Sequence, residues 1–395
     1  MKVTIVGAGI GGLALAREAI AAGHEVTVHE KADRLRTGGA ALILWPNGTG
    51  ILEHMGVRAA TGDNRLDSFD TLFHDAALAS RLRLSKIAEK TGSPAFGIPR
   101  GRLIAELADG LPPEIFRFGK ECSGVESWGE GGTDPVVTFT DGTTAGGDVV
   151  VAADGHRSAI RRALVGDGLA DAEHTGYATW YGMTKLVDHP WHNQVLGMHG
   201  PGGFCMLFPV DGLLMWVFAV PWQQGETAPP GAVGGVSRTR PDADGDPSPL
   251  ENLRARFGDW AEPVPQVLAN LSDDEIDMYP HVIHQVPQSW GRGKVTMLGD
   301  AVHAVPPTLG QGVNQTLEDV WSLGRLLADP KGREGTELLR AYEKARGAQV
   351  ASFSKTARRL EGNTAPSPFM RHTKGKFPFT TFWFWWVKRL SNYLR

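Results

Sequence analysis

The chain has 395 residues, 42% apolar and 21% charged, which is enough to bury a large core and lies outside the range of disordered chains. Its net charge of −4 gives no electrostatic support to a nucleic-acid partner. The two cysteines, Cys122 and Cys205, form no CxxC or Cys/His cluster, which argues against a disulfide scaffold or a structural zinc and fits a reducing cytoplasm.

Met1 and Lys2 lead into an apolar run that breaks at Gly7, too short for a secretion signal. Residues 2–6 alternate and are β-branched, 11–22 are alanine- and leucine-rich at helical spacing, and 25–30 read as a second strand. Crossover handedness places that βαβ unit in a parallel sheet. Strand-like runs at 148–153 and 294–298 each lead into a Gly/Asp turn, and the second is followed by a predicted helix near 312–328. Between roughly 175 and 285 the aromatic-rich runs 203–210 and 213–221, separated by turn residues, predict an inserted, mainly antiparallel sheet. Pro209, Asp211 and Gly212 split the stretch from Phe204 to Val220, so it cannot span a membrane. Residues 224–249 read as a loop and 336–360 as a charged helix. The tail from Pro366 carries an aromatic cluster with basic flanks, too short to span a bilayer but open to a weak membrane or partner contact. The whole reads as a soluble α/β protein.

Three motifs carry chemistry. Gly7-Ala8-Gly9-Ile10-Gly11-Gly12 holds GxGxxG: Gly7 permits the tight turn, Gly9 close approach of a pyrophosphate, and Gly12 close packing of helix on sheet. Glu30, 18 residues after Gly12 at the end of the second strand, can accept ribose hydroxyls, and its charge disfavours a 2′-phosphate there. Asp154-Gly155, with Arg157 and Ser158 behind it, follows a strand; alone, such a pair is usually just a turn. Leu298-Gly299-Asp300-Ala301, continuing through Pro306-Pro307 to Gly310-Gln311-Gly312-Val313-Asn314, joins a strand end to a glycine-rich turn and a helix. Asp300 could hold a cofactor's hydroxyls, and the Gly310–Asn314 turn could offer backbone N–H groups to an electron-rich ring. His303 is a weak acid–base candidate, though a structural hydrogen bond suits it better.

In this order the motifs resemble the single-component FAD-dependent aromatic hydroxylases, the group A flavoprotein monooxygenases, over about residues 1–360. Smaller features agree: Gly39-Ala40-Ala41 leading to Trp45-Pro46-Asn47-Gly48, Arg100 before Leu103, and Tyr342-Glu343 with Arg346. The subgroup with urate hydroxylase and salicylate-hydroxylase-like enzymes is the most similar. The resemblance implies a Rossmann-like, GR2-type FAD-binding domain of the p-hydroxybenzoate-hydroxylase kind, with an inserted, mainly antiparallel substrate domain and a C-terminal helix. Expected boundaries are 1–72, 97–173 and 281–362 for the FAD-binding domain, 73–96 and 174–280 for the substrate domain, and 363–395 for the tail. It implies FAD as cofactor and NAD(P)H as electron donor, bound transiently without a second GxGxxG. Hydroxylation or epoxidation of an aromatic or polycyclic substrate with O₂ would pass through a flavin C4a-hydroperoxide, in keeping with natural-product tailoring.

Residue by residue, the resemblance places Gly7, Gly9, Ile10, Gly11 and Gly12 at the pyrophosphate and Glu30, with Lys31, at the adenosine ribose. Arg100 falls by the ribityl-phosphate region and Val125 by the adenine, while Asp154 serves both FAD and NAD(P)H. Asp300 falls at the ribityl chain, with Pro307, Gly310, Gly312, Val313 and Asn314 at the isoalloxazine. Urate hydroxylase holds its purine with an arginine on a substrate-domain strand; the corresponding stretch Gly203–Pro209 here has none. Phe204, Met206, Phe208, Met215, Trp216 and Phe218, counted together with Trp45, predict instead an apolar pocket face suited to a phenolic, indolic or polyketide-like compound. Two alternatives stay open. Trp216 to Pro221 narrowly misses the WxWxIP of flavin-dependent halogenases, and a non-catalytic flavin-binding assembly partner would share the fold.

Overall fold

A computed structural model describes residues 1–58, 64–185, 192–222, 248–362, 368–373 and 378–395. The β-branched runs foreseen at the chain's start and middle come together in one six-stranded sheet. Its order is Gly291–Arg292, Val295–Met297, Val149–Ala152, Lys2–Val6, Glu25–His29 and Phe116–Arg117. Every pairing is parallel except the first. The central strands Val149–Ala152 and Val295–Met297 are buried throughout and almost wholly apolar, as parallel strands covered on both faces must be. The Ile10–Ala21 and Gly312–Ala328 helices pack on each other and on this sheet.

A second sheet of seven strands runs Asp277–Ile283, Glu173–Thr184, Leu213–Pro221, Gly203–Val210, Gln194–Gly200, Ser68–Phe73 and Leu78–Arg83. All its pairings are antiparallel except that of Gln194–Gly200 with Ser68–Phe73. Ser68–Phe73 already belongs to it, so the first excursion begins before the expected boundary at 73. Two small three-stranded sheets, one of Cys122–Trp128, Pro135–Phe139 and Thr144–Gly146, and one of Ala41–Leu44, Ala95–Pro99 and Arg65–Leu66, were not foreseen. The segment read as a loop at 224–249 lies almost entirely outside the described residues.

Register decides what each face of the large sheet carries. Successive side chains alternate, and Phe208 pairs with Met215 while Met206 pairs with Val217. Phe204, Met206, Phe208 and Met215 therefore share one face. Trp216 and Phe218 turn to the other, into a core with Leu253, Phe257 and Trp260 of the helical segment behind the sheet. The expected set of pocket residues is thus split: Trp216 and Phe218 are back-face core, because adjacent strand positions cannot face the same way.

The C-terminal segment forms a helix, Phe379–Leu390, that packs on the protein itself. Trp383 stacks on Trp45 at 4.1 Å between ring centroids, and the Leu390 carbonyl accepts from Arg346. Glu318 accepts from the amides of Asn392 and Tyr393. Phe382 and Trp385 stay on the outer side. No helix among the described residues is long and apolar enough to cross a membrane.

Asp319 ties these helices to the parallel sheet. Its Oδ2 accepts from Gly299 N–H at 2.9 Å and lies 2.6 Å from His303 Nε2, while Oδ1 accepts from Arg346 Nε at 2.8 Å. Burial works to raise this carboxyl's pKa, but the charges of His303 and Arg346 outweigh it and hold it below its ordinary value. Removing one partner of such a cluster strands the others, at a cost of roughly 3–5 kcal/mol. Asp319→Asn should lower unfolding free energy by that order in a denaturant titration. A loss under about 0.5 kcal/mol, the range of ordinary surface changes, would show that the cluster is not a structural anchor.

Candidate functional site

The carboxyl ends of four neighbouring parallel strands carry the Gly299-Asp300, Asp154, Gly7 and Glu30 turns side by side. Doubly wound sheets bind ligands along this edge. Contacts confirm the convergence. Gly7, at φ +104°, leaves no room for a side chain, since a Cβ there would sit 2.4 Å from the Ala153 carbonyl oxygen and 3.1 Å from Asp154 Cα. A Cβ on Gly11 would strike Leu298 and Thr316, and one on Gly12 the Gly7 carbonyl. Gly9 alone of the four has open space around it. Gly7, Gly11 and Gly12 thus lack side chains to let helix, sheet and turns pack, whereas Gly9 faces open space. The expectation that all four face a pyrophosphate narrows accordingly.

Glu30 sits beside that turn: Oε2 accepts from Ala8 N–H at 2.8 Å and Oε1 from Ala32 N–H at 3.0 Å. Ile10 starts the first helix, and Lys31 is exposed next to Glu30. Asp154 Oδ2 accepts from Ala159 N–H, while its buried Oδ1 has no partner. Burial raises the Asp154 pKa to about 6. Val125 pairs with Val137 in the small sheet against which the helix after Asp154 packs.

Arg161 joins this turn to the next. Fully buried, it donates to the carbonyls of Leu169, Ala301, Val302 and Gln285. Asp300 itself is exposed at the start of its short helix. Its charge acts on His156, whose pKa burial lowers, and on Tyr279 of the large sheet, whose pKa burial raises. Arg100 and Arg157 act on Tyr279 as well, and Arg100 on Tyr181. The large sheet therefore presents two tyrosines to the charged edge of the parallel one. Sequence reasoning missed both, and strand parity with Thr179, Met183 and Met215 was the signal that could have found them.

The glycine-rich turn holds three surprises. The Asn314 side chain is committed to the protein, with Oδ1 accepting from Trp45 N–H and Nδ2 donating to the Ile43 and Gly310 carbonyls. What remains to face a ring is the backbone at the start of the Gly312–Ala328 helix, which carries no side-chain cap. Pro307 is exposed, and Gly310, Gly312 and Val313 are partly so. Gln311, 1% exposed, has neither Oε1 nor Nε2 partnered. Trp45, expected in the pocket, is 2% exposed, lies between Phe69 and Trp383, and donates Nε1–H to the Gly310 carbonyl. It braces the turn and has no face free to line a pocket. His303, the weak acid–base candidate, is fully buried against Asp319, Trp290 and Phe353, away from this edge.

A family profile described as an FAD binding domain matches residues 1–234 and 260–357. The 3-amino-4-hydroxybenzoate 2-monooxygenase of Streptomyces cremeus is 33% identical over 91% of this chain and 86% of its own. The FAD-dependent urate hydroxylase of Klebsiella oxytoca is 31% identical over 91% and 89%. The structure of Klebsiella pneumoniae HpxO with FAD and uric acid superposes with a TM-score of 0.78 at 26% identity, covering 99% of this chain and 92% of that one. The residues present fit the flavin nucleotide. The edge offers an open backbone at Gly9, an unpartnered carboxylate oxygen at Asp154, an exposed carboxylate at Asp300 and an unpartnered amide at Gln311.

Asp154 supplies a pH test. With a folded pKa near 6 against 3.8 unfolded, the folded state binds the proton more tightly. Its contribution to stability is complete below about pH 4 and is lost as pH rises through 6, a change of about 3 kcal/mol. Melting curves of the cofactor-free protein should show Asp154→Asn gaining on the parent as pH rises across that window. Parallel pH profiles would contradict the burial of an unpaired carboxyl. Separately, Glu30→Ala and Asp300→Ala should each weaken FAD retention by about 1.5–3 kcal/mol per lost charged hydrogen bond, read by equilibrium dialysis; undiminished retention in both would remove them from the cofactor contacts.

Proposed function

The chain belongs to this FAD-binding family and is an FAD-dependent monooxygenase, and from that premise we propose that it hydroxylates or epoxidises an uncharged aromatic of phenolic, indolic or polyketide-like type. NAD(P)H is the family's usual electron donor. Bound flavin supplies the oxygen chemistry, and the protein's tasks are to hold it, place the substrate and exclude water. Glu30 and Asp300 would take the cofactor's hydroxyls, Gly9 the approach of its pyrophosphate, and the first amides of the Gly312–Ala328 helix its ring. Val125 would lie by the adenine and Arg100 by the phosphate side of the ribityl chain.

The observation that carries the substrate class is the face of the large sheet turned to the Gly310 turn. Phe69, Tyr181, Met183 and Met206 are its partly open members, over a floor of Phe208, Met215 and Val217. The strand Gly203–Val210 holds no cation to pair with a carboxylate or a urate anion. An apolar face with few polar anchors suits an uncharged aromatic. Urate is accordingly not the proposed substrate, and a halogenase is not favoured: the relatives are monooxygenases, and Trp216 and Phe218 of the near-miss motif point into the back core.

Purified protein should show flavin absorbance and NAD(P)H oxidation that rises with an uncharged phenol or indole, matched by a product one oxygen heavier. Met206→Arg should shift preference toward carboxylated aromatics by about tenfold in kcat/KM, the scale of a modest change in pocket contacts. Oxidation indifferent to every aromatic offered, or a preference for carboxylates in the parent, would contradict the assignment.

A further inference from the structure

Behind the glycine-rich turn a polar chain links the large sheet, the end of the Gly335–Leu360 helix and the Pro307–Leu309 turn. Glu361, which ends the Gly335–Leu360 helix, places Oε1 2.6 Å from His281 Nδ1 and 2.9 Å from Thr175 Oγ1. Its Oε2 accepts from Thr308 Oγ1. His281 Nε2 lies 2.6 Å from Thr179 Oγ1. The His281 and Glu361 side chains are only 3% and 8% exposed, whereas Thr308 is exposed within the Pro307–Gly310 turn. Thr179 and His281 stand on the same sheet face as Tyr279. The other titratable group at this cluster is His174, whose Nδ1 accepts from Gly176 N–H.

We propose that Glu361 and His281 are the proton acceptor for the substrate hydroxyl, reached through Thr308; this rests on the hydroxylase reading above. In the resting state a carboxylate facing Nδ1–H fixes the imidazole tautomer, leaving Nε2 to accept from Thr179. Thr308 donates its own hydrogen to Glu361, which leaves its oxygen lone pairs free for an incoming O–H. When the substrate O–H bond breaks, its proton binds Thr308 Oγ1 as the original Thr308 proton passes to Glu361 Oε2. The pair then shares one added proton, the substrate oxygen keeps the electron pair, and no oxidant or further reactant is required. The ionised oxygen enriches the ring in electrons for attack on oxygen. An imidazole–carboxylate pair taken out of water is costly as a mere tie, and this one extends to an exposed residue on the turn that the proposed function sets beside the cofactor ring.

The test uses the FAD-loaded full chain with 4-nitrophenol, whose ionised form is read by its own visible absorbance and whose binding is read by the perturbed flavin spectrum. Glu361→Gln and Thr308→Val should each disfavour ionisation of the bound phenol about tenfold, one pH unit, with binding changed far less and Glu361→Asp restoring part of the loss. Thr308→Val changes only an exposed side chain, so it keeps the test valid if variants at His281 or Glu361 fail to fold. Equal ionisation of bound phenol in the parent and in Thr308→Val would overturn the relay while leaving the hydroxylase reading intact. A flavin spectrum indifferent to the phenol at every pH would overturn the phenolic substrate class and, with it, the relay.

Discussion

One buried guanidinium holds the functional edge together. Arg161 begins in the helix that follows Asp154 and reaches the carbonyls of Ala301 and Val302 just after Asp300, and that of Gln285 where the chain leaves the large sheet. No carboxylate pairs with it in these contacts, and burial lowers its pKa to about 10. A cation kept in the interior by carbonyls alone tolerates little displacement, because each acceptor lost leaves charge unsatisfied. Two motif turns and the substrate sheet are thereby fixed relative to one another, while Asp319 does the same for the Gly299 amide and the long helices.

The division of labour follows from the two sheets. The parallel one ends in turns whose shape is dictated by packing: the Cβ positions of Gly7, Gly11 and Gly12 are already filled by neighbouring atoms. A site so constrained suits a constant ligand, as the proposed cofactor site requires. The antiparallel sheet offers alternating side chains that can change without disturbing its ladder, which is where the proposed function puts specificity. The C-terminal helix bears on both regions at once, since Trp383 covers Trp45, which in turn holds the Gly310 carbonyl.

Much of this was legible in the sequence wherever the signal was local. Four β-branched residues in a row, Val3 to Val6, leading into GxGxxG, with Glu30 one strand later, announce strand, turn and helix together, and the structure places them so. The later motif turns were legible for the same reason, and matching three of them in order made the family recognisable. What was lost depended on partners far along the chain. For His303 the sequence favours a structural hydrogen bond over acid–base work, and only the fold shows that Asp319 is the partner. The Gly310–Asn314 reading rests on backbone N–H groups, and nothing local shows that Trp45 and Ile43 claim the Asn314 side chain. Glu361 and His281 stand 80 residues apart, with no motif to join them. The apolar run puts Trp216 and Phe218 in the expected pocket face beside Met215, whereas strand alternation sends these two to the opposite face.

The central claim is that the edge running from Glu30 through Gly7 and Asp154 to Asp300 cradles a single extended flavin nucleotide. A crystal structure of the protein grown with FAD tests this most directly. The account predicts pyrophosphate density at Gly9 and the start of the Ile10–Ala21 helix, adenosine toward Glu30, and the ring over the first turn of the Gly312–Ala328 helix. Density for the nucleotide anywhere else, or spanning only one of these turns, would contradict it.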